Sequence, residues 1–154
     1  MKVPPVVRVD HPTPGVRNLI RAHHDAMRAL TPHESCHVMD ETALFASGAH
    51  VFVIDENGES LGMAAIKLLD ASHSELKSMH TKMEARGRGI AHALLLHSLN
   101  HAREVGLTKL SLETGSDDAF APARRLYERH GFAYCAPFGG YTHDPLSVFM
   151  TRLL

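Results

Sequence analysis

Arg86-Gly87-Arg88-Gly89 stands directly before Ile90-Ala91-His92-Ala93-Leu94-Leu95-Leu96, a run of good helix formers. The least helical residue type therefore occurs twice at the mouth of a helix, with two cations beside it. The first turn of a helix carries N–H groups with no intrahelical acceptor, and the helix dipole adds about half a positive charge there. Glycine has no Cβ, so an anion can come close to the backbone and the loop can take dihedrals that other residues avoid. The chemistry favoured is retention of a pyrophosphate by main-chain N–H groups, with Arg86 and Arg88 adding charge. A P-loop would continue Gly-Lys-Ser/Thr, whereas Gly89 is followed by Ile90 and Ala91. A dinucleotide fingerprint starting at Gly87 meets His92 at its third small position, and the strands before it read as antiparallel rather than as a βαβ unit.

Other chemistry is weaker in the sequence. Thirteen histidines are scattered without an HxH or HExxH pattern. His97 and His101 have the i, i+4 spacing of a helical metal pair, but no third ligand travels with them, so a solvated surface pair and no metal are expected. Cys36 and Cys135 lie about a hundred residues apart and outside any metal spacing, which reads as two free thiols in a cytoplasmic protein. His23 falls on the apolar face of a helix and reads as a core histidine.

The elements that position the loop follow from periodicity. Val6 to Val9 is a short strand. Thr13 caps a helix whose apolar stripe is Val16, Leu19, Ile20, Met27 and Leu30. A weak helix falls near Asp40 to Ala46. Asn57-Gly58 joins the runs His50 to Asp55 and Ser60 to Leu69 as a hairpin, and Ser74 to Thr81 is a further strand. The helix after Gly89 reaches Val105, with Ala91, Leu94, Leu95, Leu99, Ala102 and Val105 as its buried stripe, and Gly106 stops it. Lys109 to Glu113, Phe132 to Cys135 and Ser147 to Leu153 read as strands, and Ala119 to His130 as a helix. With 154 residues, 44% hydrophobic content and a net charge of −1, the chain reads as a single domain, residues 1–154. Nothing suggests attraction to nucleic acid, and no apolar run is long enough for a membrane span.

Arg86-Gly87-Arg88-Gly89-Ile90-Ala91 matches R/Q-x-x-G-x-G/A, the acetyl-CoA motif of the GCN5-related N-acetyltransferase (GNAT) superfamily. Arg125-Leu126-Tyr127-Glu128-Arg129-His130-Gly131-Phe132 resembles that superfamily's Leu-Tyr-Glu-Lys-x-Gly-Phe segment. The stretches Glu75–Met79, Leu112–Gly115, Phe120–Glu128 and Asp144–Met150 resemble a subgroup of small stand-alone bacterial acetyltransferases. The resemblance covers nearly the whole chain. It implies an α/β (α+β) fold: a mixed, mostly antiparallel twisted sheet of six to seven strands, helices on both faces, splayed between the fourth and fifth strands.

The resemblance also implies roles. Acetyl-CoA would be the cosubstrate, its pyrophosphate on residues 86–91 and its pantetheine along Met79, His80 and Thr81. A backbone N–H near Met79 would polarise the thioester carbonyl. Acyl transfer to an amine needs a base and an acid. Glu75 holds the place of the catalytic glutamate of some members; as an ordinary strand residue it would be solvated or paired with Lys77. His80 is a competing base. Tyr127 holds the place of the general acid. An asparagine that contacts pantetheine in many relatives is absent from Phe120-Ala121-Pro122-Ala123, while Arg124 or Arg125 would reach a CoA phosphate. The acceptor site would draw on His33 and Glu34 in the segment Pro32 to His37, and on Tyr141 near the C terminus. The expected activity is direct acetyl transfer to a small-molecule amine in a ternary complex. A non-catalytic acetyl-CoA-sensing module and a peptide acetyltransferase remain alternatives, and homodimerisation is left open.

Overall fold

The structure, a computed structural model, describes residues 2–30 and 39–154. Seven strands form one sheet: β1 (Val6–Val9), β2 (His50–Glu56), β3 (Glu59–Leu68), β4 (His73–Thr81), β5 (Lys109–Gly115), β6 (Ala133–Cys135) and β7 (Ser147–Leu153). Their spatial order is β1-β2-β3-β4-β5-β7-β6. Every neighbouring pair is antiparallel except β4 and β5, which run parallel. Four helices, α1 (Pro14–Leu30), α2 (Glu41–Ala46), α3 (Ile90–Glu104) and α4 (Ala121–Arg129), cover the two faces.

Local chemistry sets the ends of these elements. Asn57 and Gly58 both take positive φ, 52° and 78°, which closes the β2–β3 hairpin. The Thr13 hydroxyl accepts from the Val16 N–H at 3.2 Å, and the Asp40 carboxylate from the Ala43 N–H at 2.7 Å, so each caps its helix. α3 and α4 end alike. Gly106 and Gly131 sit in the left-handed region, and the N–H of the next residue reaches back to close the last turn, Leu107 to Ala102 O at 2.9 Å and Phe132 to Tyr127 O at 3.1 Å. In α4 this motif carries a ring contact, Phe132 edge-on to Tyr127 with centroids 5.8 Å apart, so the Gly131-Phe132 pair also anchors Tyr127.

Alternate residues of the strands feed two cores. Val51, Val53, Met63 and Ala65 pack under Val16, Leu19, Ile20 and Leu44 of α1 and α2. Phe52, Ile54, Ala64, Ile66, Leu76, Leu110 and Leu112 pack under Leu94, Leu95, Leu99 and Leu126 of α3 and α4. Gly62 has no room for a side chain: a Cβ there would lie 2.6 Å from Ile90 Cγ2, so this glycine lets the start of α3 lie against the sheet.

Three expectations change. Val105 is 54% exposed, because α3 ends before its side chain can turn inward, and Ile90 and Ser98 join the buried stripe instead. In α1 the core takes only Val16, Leu19 and Ile20, whereas Met27 and Leu30 line a cleft. His97 and His101 are not a solvated pair: both rings pack against Phe52, at 4.7 and 5.0 Å, and His101 hydrogen-bonds His50.

Two irregularities open the sheet. β4 and β5 pair only from His73 to Leu76 and from Lys109 to Leu112, and beyond that they separate. In the same stretch β4 carries a bulge. Ala65 opposes Lys77 and Met63 opposes His80, leaving Ser78 and Met79 against Ala64 alone, with Ser78 at φ 55°. The extra residue reverses the facing of the rest of β4. His80 joins the α1 side, where its ring meets His23 at 5.2 Å, while Met79 packs against the α3-side core.

Candidate active site

Where β4 and β5 part, a cleft of about 230 Å³ passes between them, walled by α1 on one side and α4 on the other. Arg86, Tyr141, Glu75, Met79, His80 and Tyr127 all line it.

The anion loop lies beside this cleft. Gly87 and Gly89 adopt φ of 80° and 83°, so both glycines are required by backbone conformation; no neighbouring atom crowds a Cβ at Gly87, and at Gly89 only Val3 Cγ2 comes near, at 3.7 Å. Among the described residues no acceptor is bonded to the N–H groups of residues 87–92, and the first turn of α3 has no acidic residue. Ile90 and Ala91 therefore contribute main-chain donors, while the Ile90 side chain is buried under Gly62. A concentration of unpaired N–H groups at a helix start suits a pyrophosphate.

The two arginines of the loop divide. Arg86 is exposed and makes no ion pair among the described residues. The Arg88 guanidinium instead grips Glu56 of the hairpin through two hydrogen bonds, 3.1 and 2.8 Å, which hold the Glu56 carboxyl below its usual range. The charge expected from Arg88 is thus neutralised locally. Arg124 donates to the carbonyls of Gly115 at 2.6 Å and Asp117 at 2.9 Å and so braces the β5–α4 connection. In that connection Phe120 fills the space a side chain at Gly115 would need. Thr81, expected to act through its backbone, has a buried hydroxyl with no partner among the described residues.

Tyr127 is 5% exposed, and its hydroxyl makes no hydrogen bond among the described residues. Burial raises its pKa, so the phenol holds its proton at neutral pH, and the residue lines the cleft.

Glu75 is buried rather than solvated, at 4% exposure. Its Oε2 accepts from the Tyr141 hydroxyl at 2.6 Å and from Lys77 Nζ at 3.3 Å, and Lys77 Nζ also donates to the Tyr141 oxygen at 3.0 Å. Glu75 and Lys77 reach one face by the two-residue period of β4. Tyr141 arrives from the β6–β7 connection, where its ring packs on Phe138 and Phe149 at 5.3 and 5.5 Å. Burial, then the Glu75 charge, raises the Tyr141 pKa, so it is the donor in this bond. A second carboxylate, Glu113 on β5, also lines the cleft and accepts from Ser147 Oγ at 2.6 Å.

His23 of α1 and His80 of β4 meet on the α1 side of the cleft. Burial, then the His80, His24 and Lys77 charges, lowers His23 to about 3; burial, then Arg86, lowers His80 to about 4. Both rings are neutral at pH 7, and His23 lines the cleft rather than only filling the core.

Of the residues expected at the site, the structure gathers Glu75, Met79, His80, Arg86, Tyr127 and Tyr141 around one cleft, with Thr81 at the end of β4. His33 and Glu34 lie outside the described residues. Lys77 was legible only as a partner for Glu75, through its i, i+2 spacing. Ser78 and Glu113 carried no signal, since a bulge and a splay depend on neighbouring strands.

The profile of the acetyltransferase (GNAT) family matches residues 16–132. The chain is 41% identical over 139 residues to the N-acetyltransferase YsnE of Bacillus subtilis (strain 168), covering 90% of this chain and 92% of that one. It is similar to an acyl-CoA N-acyltransferase structure from Klebsiella pneumoniae subsp. pneumoniae MGH 78578, with a TM-score of 0.75, 28% identity and 97% and 96% of the two chains covered. A GNAT family acetyltransferase from Elizabethkingia anophelis with acetyl-CoA bound shares the fold, with a TM-score of 0.67 and 16% identity over 97% of each chain.

Proposed function

The chain belongs to the acetyltransferase (GNAT) family and is an acyltransferase, and on that premise we propose that it moves the acetyl group of acetyl-CoA directly to the amine of a small molecule, both bound in the β4–β5 cleft. The observation that carries this reading is the run of unpaired N–H groups at residues 87–92, set beside a cleft that holds a carboxylate and a phenol. The N–H groups of residues 87–92, with Arg86, hold the pyrophosphate. The main chain of β4 beyond Leu76, which has no β5 partner, receives the pantetheine arm, and an N–H near Met79 polarises the thioester carbonyl. Acetyl-CoA supplies the activated acyl group.

Glu75 removes the proton of the acceptor ammonium. Tyr141 and Lys77 both bond its Oε2, which fixes the carboxyl plane. The nitrogen then attacks the thioester carbonyl, and Tyr127 gives its proton to the departing thiolate. His80, neutral and on the same side as Glu75, is the other candidate base. The cleft lining carries Glu75 and Glu113 as well as Lys77, and two carboxylates beside one lysine favour a cationic amine. A cytoplasmic location and a single domain go with this reading.

Acceptor-dependent CoA release, measured across amines, amino acids and peptides, tests the proposal. Turnover with small amines, lost in Glu75→Gln, supports it. Turnover with peptides alone makes the chain a peptide acetyltransferase. Tight acetyl-CoA binding without turnover on any acceptor makes it a sensing module.

A further inference from the structure

A second cavity, of about 200 Å³, opens on the α3 side at the far end of the sheet, between the start of β4 and the end of α3. Its walls are largely apolar, with Ile66, Leu68, Val105 and Leu107 among them, and among the described residues no Asp, Glu, Lys or Arg lines it. Leu68 and Val105 are 64% and 54% exposed, so the mouth is an apolar rim open to solvent.

Three polar side chains also line it. His50 Nδ1 and His101 Nε2 lie 2.8 Å apart and share a proton. Burial lowers the pKa of both rings, with Arg8 adding to the effect, so the pair is neutral near pH 7. Whichever ring donates, the two outer nitrogens are then one N–H and one lone pair. The third side chain is Ser74, fully buried at 0% exposure, whose hydroxyl has no hydrogen-bond partner among the described residues. A buried hydroxyl without a partner is costly, and the fold keeps one here at the wall of a cavity.

We propose that this cavity is a second ligand site, separate from the acyl-transfer cleft, for a compact neutral molecule with an apolar body and a head that both donates and accepts hydrogen bonds, as a primary carboxamide does. The uncharged lining selects against ions, because an ion would leave water without a counter-charge. The donor and acceptor of the imidazole pair, with Ser74, match such a head, and the aliphatic rim matches the body. Ser74 and Glu75 are adjacent in β4 and line different cavities, so the sheet separates this site from the cleft.

The test is titration of the full chain with hexanamide and with hexanoate, followed through the ring C–H signals of His50 and His101 in NMR, with and without saturating acetyl-CoA. Hexanamide should give saturable shifts with a Kd on the order of 1 mM, and hexanoate should bind at least about tenfold more weakly. Val105→Trp, at the exposed rim, should abolish the shifts without unfolding the chain, and Ser74→Ala should weaken binding several-fold. Saturating acetyl-CoA should leave them unchanged. No saturable shift up to roughly 10 mM, equal shifts in Val105→Trp, equal or stronger binding of hexanoate, or displacement by acetyl-CoA would each overturn the proposal. None of these outcomes depends on turnover, so the acyl-transfer reading stands or falls separately.

Discussion

The Tyr141 hydroxyl donates to Oε2 of Glu75 at 2.6 Å across 66 positions of sequence, and Lys77 Nζ completes the triangle at 3.0 and 3.3 Å. The proposed base is therefore held from two directions, by its own strand and by the β6–β7 connection. Tyr141→Phe keeps the aromatic packing on Phe138 and Phe149 and removes only the hydroxyl. It should lower kcat by roughly tenfold through loss of one charge-assisted hydrogen bond, with acetyl-CoA affinity unchanged. Single-turnover rates measure this, and a wild-type rate would show that Glu75 needs no support from Tyr141.

Tyr127 tests the acid role. The residue is buried, its phenol is protonated, and its hydroxyl has no hydrogen-bond partner among the described residues. Tyr127→Phe keeps the Phe132 contact and should be well tolerated by the fold. Its kcat should fall by about 10²–10⁴-fold with little change in acetyl-CoA Kd. Full single-turnover activity would mean that the thiolate leaves without this proton.

At Gly89, φ is 83°, a conformation that Asn and Asp tolerate better than other side chains. Gly89→Asp therefore adds charge to the anion loop with modest backbone strain, and Gly89→Asn adds the same bulk without charge. Acetyl-CoA should raise the Tm of the wild type by mass action. That rise should vanish in Gly89→Asp and persist, reduced, in Gly89→Asn. Equal shifts in wild type and Gly89→Asp would remove the pyrophosphate from this loop.

Arg86 and Arg88 should separate by phenotype. Arg86→Ala should weaken acetyl-CoA binding and flatten its salt dependence, because an exposed cation beside the anion loop is lost. Arg88→Ala should mainly lower Tm, because it breaks the paired bonds to Glu56. Calorimetric titration with denaturation curves distinguishes them; the reverse pattern would assign the phosphate charge to Arg88.

The buried histidines make the fold sensitive to acid. His23 and His80 titrate near 3 and 4 in the folded chain, against 6.5 for an unfolded histidine. Between those values the unfolded chain binds more protons, so stability is full above about pH 6.5 and falls as the pH drops toward 4. Each ring contributes about 1.4 kcal/mol per pH unit within its window. Urea denaturation at pH 7 and pH 5 checks the sign, and equal stability at both would mean that the two rings are solvated.

Local chemistry was enough to mark most elements and one half of the site. The Asn57-Gly58 turn, the cap at Thr13 and the glycine stops at Gly106 and Gly131 each involve neighbours within a turn, so their residue types announce them. The anion loop is legible for the same reason, since left-handed backbone at Gly87 and Gly89 is written in the residues themselves. The features that the tertiary structure decided depend on distant partners. The bulge at Ser78 exists only against β3, and it alone puts His80 on the face of Glu75 and Lys77. Arg88 turns to Glu56 and Arg124 to Gly115 because those acceptors are brought within reach by chain folding. The Glu75–Tyr141 bond joins residues that no period relates, through an aromatic cluster assembled on β7. Short-range rules set backbone conformation, whereas hydrogen-bond partners depend on whichever polar groups the packed sheet leaves adjacent.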